Sequence, residues 1–137
     1  MKIRLIVVVL CVFAFLYNPI AFAEEASSVE VYYFHTSMRC SSCHKIQQFT
    51  EEALQEGFPG ELKSGKIKYQ VINIEEPGNE HYVEDYGLYT KSVVLSLQKD
   101  GKEIEYKNLD KIWQLLNNKK KFVSYIQSET KSLLDAK

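Results

Sequence analysis

Two thiols, Cys40 and Cys43, stand three residues apart, with Arg39 before the first and His44 after the second. Cysteines at that spacing can close a small disulfide and reopen as a dithiol. At a helix N-terminus the free amides and the helix dipole favour the thiolate, the nucleophile of thiol exchange. In that chemistry Cys40 attacks and Cys43, one helical turn on and more buried, resolves the mixed disulfide. Arg39 and a protonated His44 would add to the field that holds the Cys40 thiolate. The same letters, Cys40-x-x-Cys43-His44, also read as a haem c attachment site. Two thiolates with His44 or His35 would equally suit Cu(I), which prefers soft ligands. A fourth reading is an inert bridge, which a ring closed across two residues disfavours because it gains little from restricting the unfolded chain.

The elements that must position this pair are legible on either side of it. Val29 to Phe34 is β-branched and aromatic at nearly every position, which suits a buried central strand. His35 to Arg39 is the loop to the cysteines, and from Cys43 the period turns helical, with Ile46, Phe49, Ala53 and Leu54 on one face. Gly57-Phe58-Pro59-Gly60 stops that helix and Ser64-Gly65 turns the chain. A second strand spans Ile67 to Ile74, a short helix Asn79 to Tyr86, and a third strand Ser92 to Leu97. Asp100-Gly101 marks a hairpin into an edge strand at Glu103 to Tyr106, its alternating charges guarding against stray pairing. Asn108 is expected to cap a helix with Leu109, Ile112, Trp113 and Leu116 inward. After Asn117-Asn118, the residues Phe122, Ile126, Thr130 and Leu133 repeat at helical spacing. Lys119-Lys120-Lys121 reads as a solvated face. A strand-helix-strand start requires a parallel pair and the hairpin an antiparallel one, so a mixed α/β sheet with helices on both faces is expected.

The beginning of the chain has a different character. Lys2 and Arg4 precede an apolar run from Leu5 to Leu16, and Ala21-Phe22-Ala23 is a small-x-small cleavage signal. Residues 1–23 are therefore expected to be a signal peptide cleaved after Ala23, leaving residues 24–137 as one domain that does not span a membrane. An uncleaved N-terminal anchor is the alternative. Cys11 follows Leu10 rather than a small residue, so it does not read as a lipidation site. Its removal leaves Cys40 and Cys43 as the only thiols, in an exported, periplasmic or extracellular compartment where a disulfide persists. The net charge is −1 over the whole chain and −3 once Lys2 and Arg4 are gone, which gives no reason to expect a nucleic-acid partner.

The order of elements, with Cys40-x-x-Cys43 between the first strand and the first helix, resembles the minimal thioredoxin fold over residues 29–135. Val31-Tyr32-Tyr33-Phe34-His35 running into Arg39-Cys40-x-x-Cys43 is similar to a group of small exported bacterial thioredoxin-fold proteins labelled nitrophenyl-compound nitroreductase subunits. Lys99-Asp100-Gly101-Lys102 and Asn108-Leu109-Asp110 fit the same group, although no flavin- or nitroarene-binding pattern accompanies them. The resemblance implies a mixed four-stranded sheet flanked by helices. It also implies thiol-disulfide exchange through a Cys40–Cys43 disulfide, without cofactor or metal. Partners would be protein thiols and disulfides, a membrane redox protein among the candidates.

Two departures from that family stand out. Its usual cis-proline before the third strand would fall near Ser92 or Val93, and no proline follows Pro77. Arg39 replaces the usual aromatic before the first cysteine, and Tyr32 to Phe34 offer no buried acid behind the pair. The haem reading needs a distal ligand, for which Met38 and His35 lie too close in sequence and His81 is the remaining candidate. The strand-rich pattern also argues against the small helical cytochromes.

Overall fold

The computed structural model describes residues 27–136. The expected signal segment and Cys11 lie outside the described residues. Four strands form one mixed sheet in the order β2-β1-β3-β4, with β1 at Ser27–His35, β2 at Ile67–Asn73, β3 at Ser92–Lys99 and β4 at Lys102–Asn108. β1 runs parallel to β2 and antiparallel to β3, which turns back into β4. The connection between the parallel strands carries α1 at Ser41–Gly57 and α2 at Pro59–Ser64, as a parallel pair requires. The turn between β3 and β4 places Asp100 at φ 52° and Gly101 at φ 76°. Two consecutive positive φ values match the right-handed twist of the strands they join.

Period-two alternation along β1 decides which side chains meet which layer. Val29, Val31 and Tyr33 point to one face, where they join Val93, Leu95 and Leu97 of β3 and Ile46, Ala53 and Leu54 of α1. Phe122, Ile126 and Leu133 of α5, at Lys119–Asp135, close this core. α1 and α5 meet closely at Gly57, where a Cβ would lie 3.0 Å from the Gln127 side chain. There Gln127 donates to the Ala53 carbonyl at 3.0 Å. The α5 stripe is buried as its spacing predicts, and Asn118 caps the helix by accepting the Lys121 amide at 3.1 Å.

The even residues of β1 face the other way. Tyr32 and Phe34 pack at tilted angles against Tyr82 and Tyr86 beneath the five-residue α3 at His81–Asp85, with Ile72, Leu88 and Val94 around them. Helices do flank both faces, but unequally: two 17-residue helices on one side and a single turn on the other.

Three expectations need correction. Asn108 belongs to β4 and caps nothing, because the sheet continues through it and Leu109 donates its amide to Val93 at 2.8 Å. The helix that follows, α4, is only Ile112–Leu115, too short to turn four side chains inward. Leu109, Ile112 and Leu116 are buried as expected, whereas Trp113 is 37% exposed and its indole donates to the Lys91 carbonyl at 3.0 Å. Nor is Lys119 merely solvated: it pairs with Glu52 of α1 and lies 5.5 Å from the Phe49 ring centre.

Candidate active site

Both cysteines sit where β1 hands over to α1. Cys40 is the N-cap, with extended backbone at φ −93° and ψ 170°, and Cys43 is the third helical residue. Each sulfur accepts an amide from the other residue, Cys43 N–H to Cys40 Sγ at 3.4 Å and Cys40 N–H to Cys43 Sγ at 3.1 Å. The cysteines thus make the reciprocal cap that Ser and Glu make elsewhere. The two sulfurs are 2.6 Å apart, with Cys40 exposed and Cys43 buried.

The Cys40 thiol is held below its ordinary pKa. The hydrogen bond from the Cys43 side chain is the largest cause, followed by the Cys43 amide, and the Ser42 amide adds to them. The two amides are unsatisfied donors of a helix start, directed at a sulfur instead of at water.

Behind the pair stands Tyr33. Its hydroxyl is buried and donates to the Cys43 carbonyl at 2.8 Å, tying the first turn of α1 to the central strand. Burial, then the nearby Cys43, pushes its phenol up to about 12, so it remains protonated and a donor through the neutral range. The group behind the pair is thus a neutral phenol.

Arg39, expected to add to the field at Cys40, is held by two contacts. Its guanidinium donates to Gln47 of α1 and lies 5.9 Å from the centre of the Tyr33 ring. Its Nε is buried without a partner among the described residues, as is the Tyr69 hydroxyl of β2. His44 is exposed on α1, and its ring meets no described residue in a hydrogen bond or ion pair. Arg39 is therefore drawn into the site and His44 is left outside it.

The approach loop is strapped from the far side of β1. Glu75 accepts the Ser37 amide at 2.9 Å, and Asn73 donates to the Ser37 hydroxyl at 3.1 Å. The Ser37 hydrogen bonds, with Lys91 as a smaller contribution, keep the Glu75 carboxyl below its usual pKa. The sequence carried no sign of this, because Glu75 follows Ser37 by 38 residues and meets it only once β1 and β2 pair. Tyr33 was more accessible, since alternation puts it on the same face as Val29 and Val31.

Phe34 pairs with Ser92 at the start of β3, so residues 89–91 border the loop to Cys40. No cis peptide occurs among the described residues; Ser92 donates its hydroxyl to Thr90, and Trp113 holds Lys91. For a metal, no group of three or more His, Cys, Asp or Glu side chains converges among the described residues. His81, the candidate distal haem ligand, lies on α3 over the opposite sheet face, where its ring lies against Tyr82 and contacts the Gly78 carbonyl.

No known protein-family profile matches the chain, and no curated protein matches it. Among solved structures it is similar to a malarial protein at 14% identity, covering 66% of this chain and 94% of that one with a TM-score of 0.40. Fasciola hepatica thioredoxin is 20% identical over 66% of this chain and 79% of its own, TM-score 0.39. Chlamydomonas reinhardtii thioredoxin f2 is 15% identical over 69% and 81%, TM-score 0.41. No residue role transfers at those identities. What the site can do rests on its own geometry.

Proposed function

We propose that the protein is an exported thiol-disulfide oxidoreductase acting on partner proteins through Cys40 and Cys43. The observation that carries this reading is the asymmetric pair itself: an exposed, acidified thiol at a helix N-cap in contact with a buried one. The Cys40 thiolate attacks a partner disulfide, forming a Cys40–partner bond and releasing one partner sulfur as thiolate. The Cys43 thiol gives up its proton to solvent and attacks Cys40 Sγ, which breaks the mixed disulfide and releases the second partner sulfur. The partner gains two electrons and the protein is left with a Cys40–Cys43 disulfide; run backwards, the same steps oxidise a dithiol.

Arg39 and Tyr33 support the site by position. His44 is exposed on α1 and stands apart from both sulfurs' hydrogen bonds. The resemblance to the nitrophenyl-compound nitroreductase subunits supplies a label and a cell-envelope setting, and the signal-like residues 1–23 favour export. A membrane redox protein is the natural source or sink of electrons in that setting.

Trapping tests the proposal directly. Cys43→Ser should accumulate mixed disulfides with partners and Cys40→Ser should not, because only the exposed sulfur begins the exchange. Stabilising the Cys40 thiolate also favours the reduced form, which makes the pair more oxidising than the same pair with an unshifted Cys40 thiol. Failure of both variants to trap a partner, with a potential below about −300 mV, would make the pair a structural bridge.

A further inference from the structure

The two edges of the sheet are built differently. Parallel pairing with β1 turns the backbone groups of alternate β2 residues inward: Val29 donates to the Lys66 carbonyl at 2.8 Å, and Ile74 donates to the His35 carbonyl at 2.9 Å. By the same alternation Ile67, Tyr69 and Val71 direct their amides and carbonyls outward from the sheet. β2 contains no proline, and its one charge, Lys68, is committed to Glu30 of the same chain at 3.3 Å. β4, on the opposite edge, carries Lys102, Glu103, Glu105 and Lys107, and its pairing is interrupted by a bulge at Leu97/Gln98. Charges and bulges keep an edge from pairing with other chains. One edge is guarded in this way, and the other is open.

We propose that β2 pairs antiparallel with β2 of a second copy about a two-fold axis at Gln70, making one continuous eight-stranded sheet. The strand is self-complementary about that residue. Tyr69 of each copy lies opposite Val71 of the other, and these are the residues whose backbone groups face outward, so both pairs form hydrogen bonds. Lys68 lies opposite Ile72, and no like charges meet. On β4, a centre at Ile104 sets Glu103 against Glu105 and one between Ile104 and Glu105 sets Lys102 against Lys107, which is destabilising; a centre at Tyr106 sets Glu105 against Lys107, and there the adjoining bulge and the charges of the strand are what guard the edge. Val71, 39% exposed, and Tyr69, whose buried hydroxyl lacks a partner, share the face that the second copy extends. Because β1 of the second copy runs the opposite way, the two dithiols lie at opposite ends of the assembly and both remain open. This requires nothing of the proposed redox activity and stands or falls separately from it.

The test uses the protein as purified after expression of the full chain. Sedimentation over a concentration series should give twice the chain mass. Gln70→Lys sets like charges across the axis while retaining a neighbour in Glu30, which Gln70 now contacts at 3.3 Å. It should raise the dissociation constant roughly tenfold. Mixing Gln70→Lys with Gln70→Glu should restore the dimer. In a Cys40→Ser/Cys43→Ser background, Gln70→Cys should oxidise readily to a covalent dimer, because residues facing each other in a non-hydrogen-bonded pair are roughly 4.5 Å apart at Cα, within disulfide reach. Ile104→Cys on β4 is the control. A monomer at every concentration, or cross-linking of Gln70→Cys no better than that of Ile104→Cys, overturns the proposal. So does a dimer that Gln70→Lys leaves unchanged.

Discussion

The two faces of the sheet share a strand and little else. Consecutive residues of β1 divide between them: Tyr33 faces the helices and reaches the dithiol, while Tyr32 and Phe34 enter the aromatic cluster under α3. The helix-covered face is mainly aliphatic and closed by long helices that grip each other at Gly57–Gln127, Phe49–Phe122 and Lys119–Glu52. The aromatic face relies on rings and phenols, with Tyr86 and Ser96 both donating to Glu103, and Tyr32 to Glu30. Its tyrosines are wedged between apolar rings and carboxylates. Burial first, then those neighbouring carboxylates, raises the Tyr32 and Tyr86 phenols, so both remain hydrogen-bond donors. A helix stripe can bury a core with aliphatic volume alone. A face covered by one turn of helix needs side chains that are both large and able to end in a hydrogen bond.

If this division is right, the largest loss should come from the helix-covered face. Phe122→Ala, fully buried against Phe49, should cost about 3–5 kcal/mol in chemical denaturation. A loss comparable to that at Tyr82 would erase the contrast. Tyr82→Ala, half-buried among Tyr32, Phe34 and Tyr86, should cost roughly 1–2 kcal/mol and leave Cys40 reactivity unchanged. Tyr33→Phe deletes one buried hydrogen bond and should cost about 1 kcal/mol. Unlike Tyr82→Ala, it should alter the alkylation rate of Cys40, because it frees the first turn of α1. Equal effects on Cys40 from both faces would show that the site does not belong to the helix-covered side.

The pH dependence of alkylation sharpens the same point. Cys40 in the native protein should react with a midpoint below the ordinary thiol value of about 8.5. Cys43→Ala should move that midpoint up, since the Cys43 side chain is the main cause of the depression. The smallest effect is expected at Glu75→Gln. The folded carboxyl is depressed, so its stabilising contribution is complete above the unfolded value of about 4.3 and is lost as pH falls through the lower folded value. The variant should therefore be slightly less stable at neutral pH and show a shallower loss on acidification, as read by thermal melts at several pH values.

Much of this could be read in advance because it is local. The strand before Cys40, the helix after it, the Asp100-Gly101 hairpin and the Phe122-Ile126-Thr130-Leu133 stripe all follow from side-chain period and turn chemistry within a dozen residues. The misplaced readings depended on partners elsewhere. Trp113 looked inward by helical spacing, but its helix has four residues and its indole found the Lys91 carbonyl. Arg39 was placed beside the first thiol by its position in the chain, but its partner Gln47 lies two helical turns into α1. Lys119 looked like one of three equivalent lysines until α5 docked against Glu52.

The sequence by itself determined the cysteine pair, its place at a strand-to-helix junction, and the mixed sheet that follows from one crossover and one tight hairpin. Tertiary structure decided what surrounds the pair: Tyr33 beneath Cys43, Glu75 across the approach loop, and two sheet faces covered to different depths. Period and capping act between neighbours in the chain, so they can be seen in the order of residues. The hydrogen bond from the Ser37 amide to Glu75 exists only because β2 lies beside β1 in one register, and a shift of a single residue would turn the alternate side chains to the other face.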